Sequence, residues 1–424
     1  MGAMASQNII NLVDTAMVGT LGDKALAAVG MSSFVNFMAV SFMMGMSSGV
    51  QAMCARWKGA GRHGEIAMPL NGGLLLAAMI CLPVSALLIY ATPAILSEIA
   101  PEPEVARLGT GYLQLRLLGM TAVGMNFSFR GYWNAVNMSR LYMATLIAMH
   151  LCGIFLNWVL IFGHLGAPAL GASGAGLSNA ISVWIGAGVY FSLAWRYGRG
   201  EGFLRGLPSR ETIRAMLSIS IPAGFQQLLF ASGMVALFAI IARVGTAEVA
   251  AANVLINVML VTILPSIGFG LAAATLVGQS LGAQSVEEAY AWGWRVARFA
   301  AMFVALLALP ALVAPDLILR PFLHDEATRA LAVWPLRIGA FFAPMECVAA
   351  VLLNAHLGAG SSRIVLGLSV FTQWVVFLPI AWVLGPWFGF GLLAIWLAQS
   401  GYRLLNLTLF AWSWRRKAWA TVQF

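Results

Sequence analysis

An aspartate inside an apolar segment is the residue of this chain whose type and position point most directly to chemistry. Asp14 lies in the stretch QNIINLVDTAMVGTLG at 7–22, which otherwise has the composition of a membrane-spanning helix. An aspartate near the centre of such a helix costs about 2.5–3.5 kcal/mol on insertion scales. Gln7, Asn11 and Asp14 recur at i, i+4 and i+7, a spacing that places them on one helical face. We expect this face to line a polar cavity in which Asp14 binds and releases a cation.

The composition defines the kind of element that must position Asp14. Of the 424 residues, 61% are hydrophobic and only 9% are charged, and the mean hydropathy is +0.86. Soluble domains carry about 25% charged residues, so the composition predicts an integral membrane protein in a lipid bilayer. The sequence lacks the alternation of a transmembrane β-barrel, so the predicted fold class is all-α.

Twelve apolar stretches are long enough to cross a bilayer at about 20 residues per crossing. They are 1–20, 26–54, 67–92, 107–129, 141–163, 172–195, 216–243, 249–278, 291–314, 331–355, 364–385 and 388–412. Basic residues concentrate in the loops on one side and acidic residues in those on the other. By the positive-inside rule this predicts a multi-pass protein of the cell inner (plasma) membrane with both termini cytoplasmic. The basic residues are scattered singly, which argues against nucleic acid as a partner.

The two halves of the chain repeat each other at a constant offset of 223 residues. The segment 21–30 falls on 244–253, and 134–140 falls on 357–363 with Arg140 over Arg363. Six spans lie in each half, so the halves have the same orientation and form a parallel repeat. Transporters of this build commonly place the substrate path between the halves.

The repeat defines a domain organisation. We predict an amino-terminal six-helix lobe at 1–200, a cytoplasmic linker at 201–215, a carboxy-terminal six-helix lobe at 216–414 and a cytoplasmic tail at 415–424. Shifted back by the offset, Pro222 near the start of span seven would fall before Met1. We therefore expect the first helix to be truncated at its N-terminal end.

Several segments, taken in order, resemble the multidrug and toxic compound extrusion (MATE) family over essentially the whole chain. VDTAMVGTLG at 13–22 is similar to the first-helix signature of the family, and VGTAEVAAANVLINV at 244–258 is similar to its counterpart in the second half. LNWVLIFGHLGAPALGASGAG at 156–176 resembles the NorM-type branch, whereas YLQLRLLGM at 112–120 resembles the DinF-type branch, so the subfamily stays open. The resemblance implies a monomer without a cofactor. Its activity would be efflux of amphipathic, cationic small molecules, by antiport against H+ or Na+ and alternating access between two lobes.

The resemblance also assigns residues of the amino-terminal lobe. Asp14 falls on the first-helix aspartate of the family, Asn157 on the asparagine of the fifth helix, and Asn179 on a polar position of the sixth. Some members carry a second carboxylate four residues after that asparagine, where this chain has Ile161. The proton- or cation-coupling site would consist of Asp14, Asn157 and Asn179 together with Gln7 and Asn11.

The carboxy-terminal lobe retains less of the pattern. The glutamate that many NorM-type members have in helix seven is Phe230 here, whereas the carboxylate of helix ten is kept as Glu346. Glu346 is therefore a possible second-lobe site. Alternatively it is structural, with Arg337 nearby in sequence as its partner.

Two coupling ions fit such a site. Desolvation in a cavity of low dielectric favours the protonated form of a carboxyl group, and neutral amides can hydrogen-bond both of its charge states. Na+ is a hard cation that needs several oxygen ligands, and one carboxylate with amide and backbone oxygens could supply them. We favour protons, with Na+ at Asp14 as the alternative and no other metal.

Less specific interpretations remain open. Asp14 could be purely structural, and Asn157 and Asn179 could only join helices through hydrogen bonds. Arg116 and Arg337, which lie inside spans, would serve as counter-charges or extend to the interface. An enzyme is not expected, because HExxH and a carboxylate cluster are missing from the sequence. The alternative transport function is a flippase for lipid-linked sugars or lipids from the same superfamily.

Overall fold

The structure, a computed structural model, describes residues 13–323 and 325–421 of the 424-residue chain. Within these ranges the secondary structure is helical and includes no strand. The predicted all-α class is confirmed. The reason is physical: in a bilayer every backbone polar group must find its partner within the protein, and a helix satisfies its own.

The first half contains seven helices in its described part, and the second half begins with α8. The first seven are α1 (13–19), α2 (Asp23–Gly59), α3 (Met68–Ile99), α4 (Pro103–Leu117), α5 (Met120–Ala135), α6 (Ser139–Phe162) and α7 (Ala172–Tyr197). The others are α8 (Arg210–Ala242), α9 (Thr246–Gly282), α10 (Val286–Val313), α11 (Pro315–Leu319), α12 (Glu326–Gly358), α13 (Ser362–Trp387) and α14 (Gly391–Arg415). Helix α13 includes π-helical stretches at Phe371–Phe377 and Val383–Trp387.

Nine of the helices in the described ranges are long and apolar enough to cross a membrane. The other three predicted spans correspond to α1, to α4 and α5 together, and to α14. Helices α4 and α5 each fall short of a full crossing because the chain breaks between them, at Leu118 and Gly119. The described helices therefore follow the predicted spans, and residues 1–12 of the first span lie outside the described ranges.

The helix bounds repeat with the same offset of 223 residues as the sequence. Shifting α2 by this offset gives both ends of α9, and shifting the start of α4 and the end of α5 gives the two ends of α12. Helices α6 and α13 likewise begin at corresponding residues, Ser139 and Ser362. The repeat is thus a repeat of helices as well as of residues.

The break between α4 and α5 is the main local difference between the halves, because α12 is continuous there. A helix end frees carbonyl groups that need other donors. The carbonyl of Leu117 accepts from Ser85 Oγ at 2.7 Å, and the carbonyl of Leu118 accepts from Trp184 Nε1 at 3.1 Å. Side chains of α3 and α7 thus stabilise the break and fix the orientation of the last turn of α4.

The chain divides into two compact units within α8, between Gly224 and Phe225. In the first unit, the segment between α7 and α8 is attached to α3 by Asn71. Its Nδ2 donates to the carbonyls of Gly202 (3.0 Å) and Gly206 (2.8 Å), and its Oδ1 accepts from Leu204 N–H at 3.0 Å. The functional boundaries of the lobes, with the linker at 201–215, stay a prediction.

Small residues set the close helix contacts within each unit. In the first unit, Gly131 of α5 lies against the backbone of α2 at Ser47. In the second, Gly270 of α9 faces the Asn354 side chain of α12, and Gly358 of α12 faces the backbone of Ala274. Such contacts replace hydrophobic burial as the packing force between helices in a membrane.

Candidate functional site

The predicted first-helix aspartate contacts the predicted fifth-span asparagine. Asn157 Nδ2, on α6, donates a hydrogen bond of 2.5 Å to Asp14 Oδ1 on α1. Asp14 is half-buried, whereas Asn157 is only 3% exposed. The contact joins residues far apart in sequence, so the packing of α1 near α6 creates it.

An arginine on α4 contributes to the electrostatics around Asp14. Arg116 lies in the last turn of α4, where a cation also interacts favourably with the helix dipole, and its charge interacts with the Asp14 carboxylate. Its Nη1 donates to the Tyr112 hydroxyl and, at 3.3 Å, to Ser33 Oγ on α2. The hydroxyl oxygens of Ser33 and Tyr112 are also hydrogen-bonded to each other, at 3.0 Å. Among the described residues Asp14 and Arg116 form no direct ion pair, and the guanidinium contacts these two hydroxyls instead.

The remaining predicted residues of this site are placed differently. Gln7 and Asn11 lie outside the described residues. Asn179 is half-buried on α7, and its backbone carbonyl accepts from Ser182 Oγ at 2.9 Å. Among the described contacts none joins the Asn179 side chain to Asp14. The structure therefore brings together Asp14 and Asn157 but does not add Asn179 to them.

The second half contains a different arrangement of an acid and an arginine. Glu346 Oε2 on α12 lies 3.3 Å from Arg403 Nη1 on α14. The Arg403 side chain is 5% exposed, and it also approaches the carbonyl of Gly339 (3.5 Å) and Met259 Sδ (3.7 Å). Glu346 is therefore engaged in a direct, largely buried ion pair.

The prediction that Arg337 is the partner of Glu346 is wrong. Arg337 instead stacks over Trp334, with the guanidinium carbon 5.3 Å from the ring centroid. Residues 337 and 346 are separated by two and a half helical turns, so their side chains leave α12 on opposite faces. Proximity in sequence did not place them together.

Sequence reasoning missed Arg403, Tyr112 and Ser33. Arg403 carried a usable signal, since an ionisable residue inside an apolar span is itself evidence of a buried partner or a functional site. Tyr112 and Ser33 carried none, because single hydroxyl residues are common in membrane helices. In the described ranges, no group of three or more His, Cys, Asp or Glu side chains could hold a metal ion.

The repeated helices, with a half-buried acid in each half, define a polytopic membrane protein built from two related halves. Its family follows from comparison. The model of the MatE family matches residues 1–159 and 222–383, so the chain belongs to the MatE family.

Relatives and solved structures agree with this assignment. A probable multidrug resistance protein NorM of Aromatoleum aromaticum is 31% identical over 356 residues, which cover 81% of this chain and 76% of the relative. A probable NorM of Thermotoga maritima is 24% identical over 423 residues, covering 96% and 88%. An outward-facing MATE family transporter shares the fold with a TM-score of 0.89 at 19% identity, over 100% of this chain and 94% of the other. A MATE structure in a straight conformation shares the fold with a TM-score of 0.88 at 20% identity, over 99% of this chain and 94% of the other.

Proposed function

We propose that this protein is a secondary active multidrug efflux transporter that exports amphipathic, cationic small molecules in exchange for H+ or Na+. Membership of the MatE family and the multidrug resistance names of its NorM relatives support the substrate class. The observation that carries the proposal is the hydrogen bond of 2.5 Å between Asn157 and the half-buried Asp14. It puts an ionisable group in contact with a neutral amide inside the membrane-spanning part of the chain.

The amide suits a carboxyl group that must change its charge. Asn157 donates through Nδ2 to the carboxylate, while its own Oδ1 is buried and has no hydrogen-bond partner among residues 13–323 and 325–421. Rotation of the amide would let Oδ1 accept from a protonated Asp14, so both charge states have a partner. Asn157 thus lets Asp14 load and release a cation without stabilising only one state.

Exchange requires that the cation and the substrate favour different conformations of the protein. A ligand shifts a conformational equilibrium only by its difference in affinity for the two states. In the proposed cycle Asp14 takes up the cation when it is open to one side and releases it to the other. The substrate then moves in the opposite direction by alternating access of the two lobes, in the inner membrane and with both termini cytoplasmic.

The test is transport of ethidium in membrane vesicles with imposed H+ or Na+ gradients. Asp14→Asn keeps the size and one oxygen of the side chain but removes its titration. We expect gradient-driven ethidium transport to fall by about tenfold or more, since coupling needs a differential interaction that the amide no longer provides. Asp23→Asn, at the exposed start of α2, is the matched control and should transport like the wild type.

Two results would contradict the proposal. If Asp14→Asn transports as well as the wild type at equal amounts of folded protein, Asp14 does not couple. If the wild type transports no ethidium under either the H+ or the Na+ gradient, but translocates lipid-linked sugars or lipids, the flippase alternative replaces efflux.

A further inference from the structure

The segment between α7 and α8 carries an exposed apolar tip. Residues 204–207, Leu-Arg-Gly-Leu, are all exposed, whereas Phe203 before them and Pro208 after them are buried. Leu204 is 52% exposed and Leu207 is 65% exposed. We call residues 204–207 the linker tip. The proposed efflux cycle assigns no role to it, so the exposure of its two leucines needs a separate explanation.

The linker tip is held in place by α3. Asn71, which is 4% exposed, donates to the carbonyls of Gly202 and Gly206 and accepts from the N–H of Leu204. Leu204 itself has a φ of 52°, in the left-handed region that residues with a side chain rarely adopt. Phe203 is fully buried. These contacts fix the backbone of the linker tip with both of its leucines at the surface.

The linker tip lies beside the start of a membrane-spanning helix. Asn71 is close to the first residue of α3, Met68, and a Cβ on Gly72 would be 2.8 Å from Pro208 Cγ. Helix α3 has 32 residues and is therefore about 48 Å long at 1.5 Å per residue. A bilayer with both of its headgroup regions is about 40–45 Å thick. A helix of this length reaches through both regions, so its start and the linker tip lie at the depth of the lipid headgroups.

Aromatic side chains at the end of α7 indicate the same depth. Trp195 is 53% exposed and Tyr197 is 45% exposed. The guanidinium carbon of Arg199 lies 3.6 Å from the Trp195 ring centroid, and that of Arg196 lies 5.7 Å from the Tyr197 ring centroid. Tryptophan and tyrosine concentrate at the headgroup level of membranes. The end of α7 thus has the side chains of a membrane interface.

The segment around the linker tip is strongly basic. Residues 195–214 include five arginines and two glutamates, and all five arginines are exposed. They are Arg196, Arg199, Arg205, Arg210 and Arg214. One of the glutamates, Glu201, is engaged by its own neighbours, since its Oε2 accepts from the N–H of Gly64 at 3.2 Å. None of the acidic residues in the described ranges forms an ion pair with these arginines.

We propose that the linker tip and the arginines around it bind the surface of a membrane that contains anionic phospholipid. Leu204 and Leu207 enter the boundary between headgroups and acyl chains, and the arginines contact the lipid phosphates. A guanidinium presents paired N–H donors that match the oxygens of a phosphate. Each arginine near an anionic membrane surface raises the binding constant by about fivefold. The inference does not depend on the efflux function.

Three observations favour lipid over a protein partner, which would also cover exposed leucines. The linker tip lies at headgroup depth beside α3, exposed aromatic rings accompany it at the end of α7, and its arginines have no acidic partner among the described residues. The segment also lies on the side of the membrane that is predicted to be cytoplasmic. The leaflet on that side carries the anionic lipids that such a surface needs.

The test measures whether residue 207 contacts lipid or water. An NBD fluorophore is attached to Leu207→Cys in the full-length chain, with the four native cysteines replaced by alanine. The purified protein is placed in phosphatidylcholine vesicles with or without phosphatidylglycerol. Quenching is measured with acrylamide, which is dissolved in water, and with lipids that carry a doxyl group on the acyl chain. We expect quenching by the doxyl lipid, and acrylamide quenching about threefold weaker with phosphatidylglycerol than without it.

Leu165→Cys, labelled in the same way, is the matched control. Leu165 lies between α6 and α7, is 75% exposed and has a φ of 57°, so its backbone conformation resembles that of Leu204. The segment 163–171 around it contains no lysine or arginine. Quenching of a label at position 165 should therefore not depend on phosphatidylglycerol.

Charge variants of the labelled protein separate the arginines from the leucines. The double variant Arg199→Gln with Arg205→Gln should lose most of the protection that phosphatidylglycerol provides, since two attractions of about fivefold each are removed. Arg199→Lys with Arg205→Lys keeps both charges and should retain most of that protection.

A second measurement needs no label. Phosphatidylglycerol should raise the melting temperature of the purified wild type more than phosphatidylcholine does, because a ligand of the folded state stabilises it. This difference should shrink in Arg199→Gln with Arg205→Gln.

Three results would overturn the proposal. The first is acrylamide quenching at position 207 that is the same with and without phosphatidylglycerol. The second is protection from acrylamide without quenching by the doxyl lipid, which would mean that a protein surface covers the linker tip. The third is an equal effect of phosphatidylglycerol on the melting temperatures of the wild type and the double glutamine variant.

Discussion

The two halves of the chain each place an acid and an arginine among membrane-spanning helices, but they join them differently. In the second half Glu346 contacts Arg403 directly at 3.3 Å. In the first half Asp14 contacts the neutral Asn157, while Arg116 is held by Ser33 and Tyr112. A guanidinium offers only N–H donors to its acid, whereas an amide offers both a donor and an acceptor. The difference suggests that the first half carries the ion-dependent step and the second half a fixed contact.

Breaking the Glu346–Arg403 pair should have the largest effect on stability. Arg403→Leu leaves Glu346 without its ionic partner, and loss of one member of a buried pair costs about 3–5 kcal/mol. Because Glu346 is 34% exposed, we expect the lower end of this range. The measurement is SDS-induced unfolding of the purified protein in mixed micelles.

The double variant Glu346→Leu with Arg403→Leu is the control. It should recover most of the lost stability, since replacing both partners of a buried pair by apolar residues is often neutral. Asp14→Asn should cost clearly less than Arg403→Leu, because it strands no directly paired charge. If Asp14→Asn and Arg403→Leu lower the stability by equal amounts, the proposed difference between the two halves is contradicted.

The sequence predicted the order of the spans and the repeat because both depend on hydropathy and spacing, which are local properties. It also predicted that Asp14 and Asn157 belong together, although only through family resemblance. It could not predict the Glu346–Arg403 pair, since that contact depends on which faces of α12 and α14 meet. The break between α4 and α5 was equally hidden, because its freed carbonyls are satisfied by Ser85 and Trp184 from other helices.

The repeat itself yields a prediction of intermediate size. By the offset of 223, Gly131 corresponds to Asn354 and Ser47 to Gly270. The glycine of this helix contact therefore lies on α5 in the first half, but on α9, the counterpart of α2, in the second. A Cβ at position 131 would meet the α2 backbone at Ser47, which cannot rotate away. Gly131→Ala should therefore cost about 1–3 kcal/mol through overpacking.

Gly270→Ala is the matched variant in the other half. The added Cβ would meet the Asn354 side chain, 2.6 Å from its Nδ2 and 3.1 Å from its Cβ, and this Nδ2 donates to the Ala350 carbonyl at 2.9 Å. Displacing that amide loses about 1 kcal/mol, which the better helix propensity of alanine offsets by about the same amount. We expect little change in SDS-induced unfolding for Gly270→Ala, and a loss as large as that of Gly131→Ala would contradict this account.

The smallest expected effect concerns the helix starts that correspond in the two halves. Asp325 caps α12, since its Oδ2 accepts from Thr328 N–H at 2.8 Å and from Thr328 Oγ1 at 2.6 Å. Its counterpart before α4, Glu102, makes no such cap and pairs with Lys24 at 3.1 Å. The Thr328 hydroxyl, followed by the Thr328 N–H, holds the pKa of the Asp325 carboxyl below its ordinary value.

Because the folded-state pKa is lowered, the cap stabilises α12 fully at neutral pH and is lost as the pH falls through the lowered value. We expect Asp325→Ala to speed hydrogen exchange in the first turn of α12, by a small factor because the group is exposed, and to leave α4 unchanged. Asp325→Asn should keep the cap, since asparagine is a comparable N-cap residue, but should remove its dependence on acidic pH. If hydrogen exchange in the first turn of α12 has the same dependence on acidic pH in the wild type and in Asp325→Asn, the carboxylate is not the group that stabilises this helix start.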